Sequence, residues 1–149
     1  MTNNIRVAFF AFAGGIIFMV GSAYILVING IVIGAIAGMC HVNGVALALW
    51  SFVSPHGYIE LTTIFIAGGA GLKLGYALIA PSLLTRKRTL TDAARTAIQL
   101  LGGSVALLVV AGIIEGFVSP SGLLPSVKIG FGALTGILLF TYLFAVKAG

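Results

Sequence analysis

The sequence predicts an all-α fold, a polytopic bundle of transmembrane helices, and three observations predict it. Hydrophobic residues fill 60% of the 149 positions, against about 45–50% in soluble domains even with glycine counted. Charged residues fill only 7%, against about 25%. The apolar residues also gather into runs of about 20, the length a helix needs to cross roughly 30 Å of hydrocarbon, and mean hydropathy is +1.19. A soluble fold covers much of its surface with polar groups. Eight Lys and Arg with three Asp and Glu cannot do so. A soluble enzyme, a nucleic-acid module and a disordered tail are excluded together.

Strands are the other way across a membrane, but they need short stretches alternating apolar and polar residues. Ile31-Val32-Ile33-Gly34-Ala35-Ile36 and Ala106-Leu107-Leu108-Val109-Val110 do not alternate. Helices remain.

About five segments are expected, forming a single integral membrane domain over residues 1–149. The first runs from Ile5 to Ile28 and turns at Asn29-Gly30. The second runs from Ile31 to Val53, with His41-Val42-Asn43-Gly44 in its middle. That polar stretch makes it either one kinked span or a broken, re-entrant pair of half-helices. The third begins after Ser54-Pro55 and ends near Ala80-Pro81. The fourth begins at Leu90, capped by Thr89, and ends at Val118; its polar start, through Gln99, reads as an extension at the membrane surface. The fifth runs from Pro125 to Val146.

Phe52-Val53-Ser54-Pro55-His56-Gly57 recurs 65 residues later as Phe117-Val118-Ser119-Pro120-Ser121-Gly122. The same offset aligns Gly38 with Gly103 and Gly71 with Gly136. Two helices separate the copies, so this weak parallel two-helix repeat should place both on one side of the membrane. Serine caps and proline at the first helical position suit helix starts. Ser54, Pro55, Gly57, Ser119 and Pro120 are therefore expected in turns.

Net charge is +5, with Arg86-Lys87-Arg88 clustered and Arg95 near. The positive-inside bias makes that cluster a cytoplasmic loop. It places both Ser-Pro motifs and the N-terminus outside and Lys147 inside. Lys73 can snorkel to the cytoplasmic face. No nucleic-acid partner is expected. The lone Cys40 rules out an internal disulfide and reads as a packing residue.

Glycine occurs 21 times, often at four-residue spacing: Gly30, Gly34 and Gly38; Ala67, Gly71 and Gly75; Gly112 and Gly116; Gly132 and Gly136. Small residues at that spacing let helix backbones approach closely in lipid. Most should serve packing within the chain. One stripe is expected to serve self-association, most simply a dimer.

His56 and Glu60 lie one turn apart on a helix face, and Glu115 sits one turn before the second Ser-Pro motif. Ionisable groups inside a membrane are costly and mark function by default. Two readings of the cluster stand: a structural network tying helix ends together, and a proton or solute pathway. His56 and Glu60 offer only two metal ligands, and no HExxH, G-x-S-x-G or phosphate-binding glycine loop is present. No metal, cofactor or catalytic residue is expected.

Asn3-Asn4-Ile5-Arg6-Val7-Ala8, Asn29-Gly30, Pro55-His56-Gly57 with Glu60-Leu61, Ala67 through Gly75, and Glu115-Gly116-Phe117-Val118 occur in that order. Together they resemble the stage II sporulation protein M family of integral membrane proteins. The resemblance spans nearly the whole chain and implies a non-enzymatic membrane scaffold or assembly subunit. In spore formers the family member anchors a peptidoglycan-hydrolysing complex that drives forespore engulfment; many members occur in organisms that make no spores. The family's His and Glu positions map onto His56, Glu60 and Glu115, and Pro55 and Gly57 match its turn. Family members usually carry an upstream span and an extracytoplasmic segment before the Asn-Asn-Ile stretch, where this sequence starts. The implied setting is a prokaryotic cytoplasmic membrane, with the lipid bilayer and a second copy or other membrane proteins as partners. The other functional class is a transporter or channel-like conduit using His56, Glu60 and Glu115.

Overall fold

The computed structural model describes residues 2–80 and 85–148, the last three by backbone alone. The described residues form helices and turns: α1 (Thr2–Ala13), a 3-10 turn (Gly14–Ile16), α2 (Val20–Val42), α3 (Ala46–Ile79), α4 (Arg86–Phe117) and α5 (Pro125–Ala148). All but α1 are long and apolar enough to cross a membrane. The all-α, membrane-helical prediction holds, with about the expected number of segments.

α3 is the hub. Its 34 residues give about 51 Å of helix, and α1, α2, α4 and α5 all pack on it. α1 runs along the half of α3 nearer Ile79. Ala8 on α1, Ile64 and Ala67 on α3, and Leu108 on α4 form one buried cluster. A second joins Ile59, Ala111 and Leu139 from α3, α4 and α5. Each cluster sets alanine against isoleucine and leucine, and the alanines let the backbones come close, as packing in lipid favours.

Several boundaries differ from expectation. Asn29-Gly30 is no turn; α2 runs through it. In lipid a helix keeps every backbone bond internal, so turn-prone residues do not end it by themselves. His41–Gly44 is neither a kink in one span nor the tip of a re-entrant pair; it is the tight turn between α2 and α3, each long enough to cross a membrane. Gly44 takes φ +72° there, a conformation glycine adopts without penalty. Another break falls inside the predicted first segment, at Gly14–Met19. Phe18 and Met19 adopt φ of 45° and 71°, unusual for residues with side chains. The turn sits on Gly71 and Gly75 of α3. A methyl on Gly71 would lie 2.6 Å from the Phe12 carbonyl oxygen, and one on Gly75 2.6 Å from the Met19 nitrogen. The expected packing role of this stripe is thus direct.

Ser54, Pro55 and Gly57 do not form a turn; they lie inside α3, which starts nine residues before Pro55, at Ala46. Proline lacks the N–H that would bond the Ser51 carbonyl. Membrane helices tolerate such a gap where neighbours and hydroxyls compensate. Here α5 packs against it: Gly132 lies on the Ser54 carbonyl, and Thr135 Oγ1 approaches the Pro55 oxygen at 3.4 Å. Ser119 and Pro120 do sit in a turn, between α4 and α5. The two repeat copies therefore differ locally, although the offset carries the α2–α3 pair onto the α4–α5 pair.

Arg86, Lys87 and Arg88 are not a loop but the first turn of α4, after an extended Thr85. The helix thus starts four residues before Leu90, although three cations oppose the helix dipole there and Thr89 offers a cap side chain. Pro81 and the side chain of Lys147 lie outside the described residues.

Candidate functional site

The site is built on the middle of α3. His56 and Glu60 stand about 15 and 21 Å along the helix from Ala46, at 1.5 Å per residue. Each is only 5% exposed. The one-turn spacing brings His56 Nε2 to 3.7 Å from Glu60 Oε2, longer than a hydrogen bond. The Asn4 amide, in the first turns of α1, donates to the same Oε2. Glu60 Oε1 is buried and has no hydrogen-bond partner among the described residues.

The other face of the imidazole belongs to the α4–α5 turn. His56 Nδ1 and Ser119 Oγ are 2.9 Å apart. Lys128 Nζ, on α5, donates to the Ser119 carbonyl at 2.7 Å. Phe52 meets the imidazole edge-on, with ring centroids 6.1 Å apart. Glu115, one turn before the Ser119 turn, acts electrostatically on His56. His56 thus joins both copies of the sequence repeat, which share one side of the molecule as expected.

The site links α1, α3, the α4–α5 turn and α5. Such a network rigidifies where it is satisfied and is costly where it is not. Toward the Ile79 end, polar side chains return to nearby backbone: Thr63 Oγ1 bonds the Ile59 carbonyl at 2.7 Å, and Ser22 Oγ bonds the Ala11 carbonyl at 2.5 Å. Ser104 Oγ is buried without a partner.

Of the predicted residues, the structure brings together His56, Glu60 and Ser119, with Glu115 in electrostatic range. The predicted packing glycines divide. Gly71 and Gly75 are in tight contact, while Gly34, Gly38 and Gly116 have nothing within 4 Å of an added methyl. Gly112 is half-buried. Sequence reasoning missed Asn4 and Lys128 as members of the network. Lys128 is a lone cation within the fifth apolar segment, a signal the sequence carries, whereas Asn4 stands among Thr2, Asn3 and Arg6 and carries none.

Fold and site define a polytopic helical membrane protein with an ionisable cluster buried in its core. The stage II sporulation protein M family model matches residues 1–120. The chain belongs to that family. An uncharacterized protein of Methanocaldococcus jannaschii, MJ0793, is 30% identical over 122 residues, covering 80% of this chain and 68% of that protein. No solved structure matches the chain.

Proposed function

We propose that the chain is a non-enzymatic assembly subunit of a prokaryotic cytoplasmic membrane, a scaffold holding a partner against α2. The single observation behind this reading is the state of α2. It is 23 residues long with Ser22 as its one buried residue. Gly30, Gly34 and Gly38 form a stripe along it with open space above each. Small residues on a spanning helix let a second backbone approach, and the simplest occupant is another copy of this chain. The test is single-molecule photobleaching of labelled protein in native-lipid discs. Two-step bleaching is expected, falling to one step in Gly34→Leu. Single steps for the unmodified chain at every density would refute the association.

The associated topology puts Arg86–Arg88 in the cytoplasm and the Ser119-Pro120 turn outside, with Ser54-Pro55 in the outer part of α3. A Thr85→Cys reporter in a Cys40→Ala background should resist an impermeant thiol reagent added to intact cells. Labelling from outside would invert the assignment.

The orphan Glu60 oxygen favours a second reading, a proton or small-solute conduit through His56, Glu60 and Glu115. In that case Glu115→Gln abolishes flux into proteoliposomes while leaving stability unchanged. In a structural network Glu115→Gln is mild and Glu115→Leu destabilises.

A further inference from the structure

Above Asn4, between α2 and α3, lies a cavity of about 320 Å³, within the range of small-molecule sites. Its polar wall is confined to one corner, where Asn4, His56 and Glu60 meet; Ile33 and Ile36 of α2 and Trp50 of α3 line the rest. The corner is chemically incomplete. Glu60 is 5% exposed, its Oε1 has no hydrogen-bond partner, and His56 Nε2 stands 3.7 Å from Oε2. Among the described residues no Lys or Arg pairs with this carboxylate. A buried carboxylate without full pairing is expensive.

What completes the corner must bring a donor and a positive charge, on a body that suits apolar walls. An ammonium group does both. We infer that this cavity is a binding site for a small amphiphilic amine, its N–H donors on Glu60 and its apolar body against Trp50, Ile33 and Ile36. A neutral alcohol would supply the donor without the charge. A fatty acid would set a second carboxylate against the first. This site is independent of association through α2, so either idea can fail without the other.

Trp50 is the single tryptophan of the chain, so its fluorescence reports the cavity directly. The full chain in zwitterionic lipid discs is titrated with octylammonium, octanol and octanoate. Octylammonium is expected to give a saturable change, with octanol at least about tenfold weaker, a difference equivalent to about 1.4 kcal/mol, and octanoate without saturation. Glu60→Gln should weaken octylammonium at least about tenfold by the same measure. Ala37→Phe, which fills the cavity from α2 and leaves Glu60 untouched, should abolish saturation. Equal, unsaturable responses to all three compounds would mean simple partition into lipid and would overturn the site. So would octylammonium binding unchanged in Glu60→Gln or in Ala37→Phe. If Glu60→Gln does not fold, the amine-to-alcohol ratio of the unmodified chain and the Ala37→Phe result decide.

Discussion

Two stripes of small residues at the same four-residue spacing meet opposite surroundings in this molecule. Along α3, Gly71 and Gly75 lie so close to the α1–α2 turn that a methyl group on Gly71 would sit 2.6 Å from the Phe12 carbonyl oxygen and 2.7 Å from that of Ala11. Along α2, Gly30, Gly34 and Gly38 have nothing within 4 Å. The motif licenses close approach but does not name the neighbour. α3 is the hub, so its stripe is satisfied within the chain. α2 is the edge, so its stripe is left over.

One substitution made in both places should sharpen this contrast most. Gly71→Ala is expected to have the largest effect, at or above the about 1–3 kcal/mol of an overpacked site. Besides the Ser22 hydroxyl, the methyl would meet the Phe12 and Ala11 carbonyl oxygens of α1, backbone atoms that cannot swing aside as a side chain does. Gly34→Ala meets open space and replaces glycine within a helix, so it should leave the fold intact or stabilise it by about 0.5 kcal/mol. Denaturant unfolding in mixed micelles compares the two. Equal costs would break the distinction between closed and open stripes.

The polar site gives the next effects. Glu60→Leu leaves the Asn4 amide and His56 without their buried partner and should cost about 1–3 kcal/mol. Glu60→Gln, which keeps an acceptor for Asn4, should cost less. If both variants unfold at the same point, the network contributes nothing to holding α1 on α3. Ser119→Ala removes one hydrogen bond to His56 and should cost about 1 kcal/mol, read by the same unfolding. The smallest effect on monomer stability is expected for Gly34→Leu, within about 0.5 kcal/mol as for other exposed positions. Its change should appear in association alone.

Much of the fold was legible because composition and run length dominate in lipid. The membrane-helical class, the last two spans and the meeting of His56 with Glu60 follow from run length and residue spacing, whereas the first two spans are cut at other places. What the sequence hid was relational. Asn29-Gly30 and Ser54-Pro55 carry turn chemistry, yet both lie within helices, because the membrane penalises open backbone more than these residues penalise helix. Gly14-Gly15 falls inside the first predicted segment. It is a turn, and only the α3 stripe opposite it explains left-handed Phe18 and Met19. Within the site, the i,i+4 pair was readable, whereas Asn4 and Lys128 reach it from other helices, across distances that a linear pattern does not encode.

Among the described residues, no close contact joins the α1–α2 pair to α5; α3 stands between them. The molecule is thus a star with α3 at its centre. Strain that a partner imposes on the rim at α2 reaches the opposite rim at α5 most directly through the axle, with a thinner route through α1 and α4. Along that axle, the proline within the helix stands beside the histidine that ties it to the α4–α5 turn. The main route between the two rims thus includes the one stretch of α3 that lacks a rung of its own hydrogen-bond ladder.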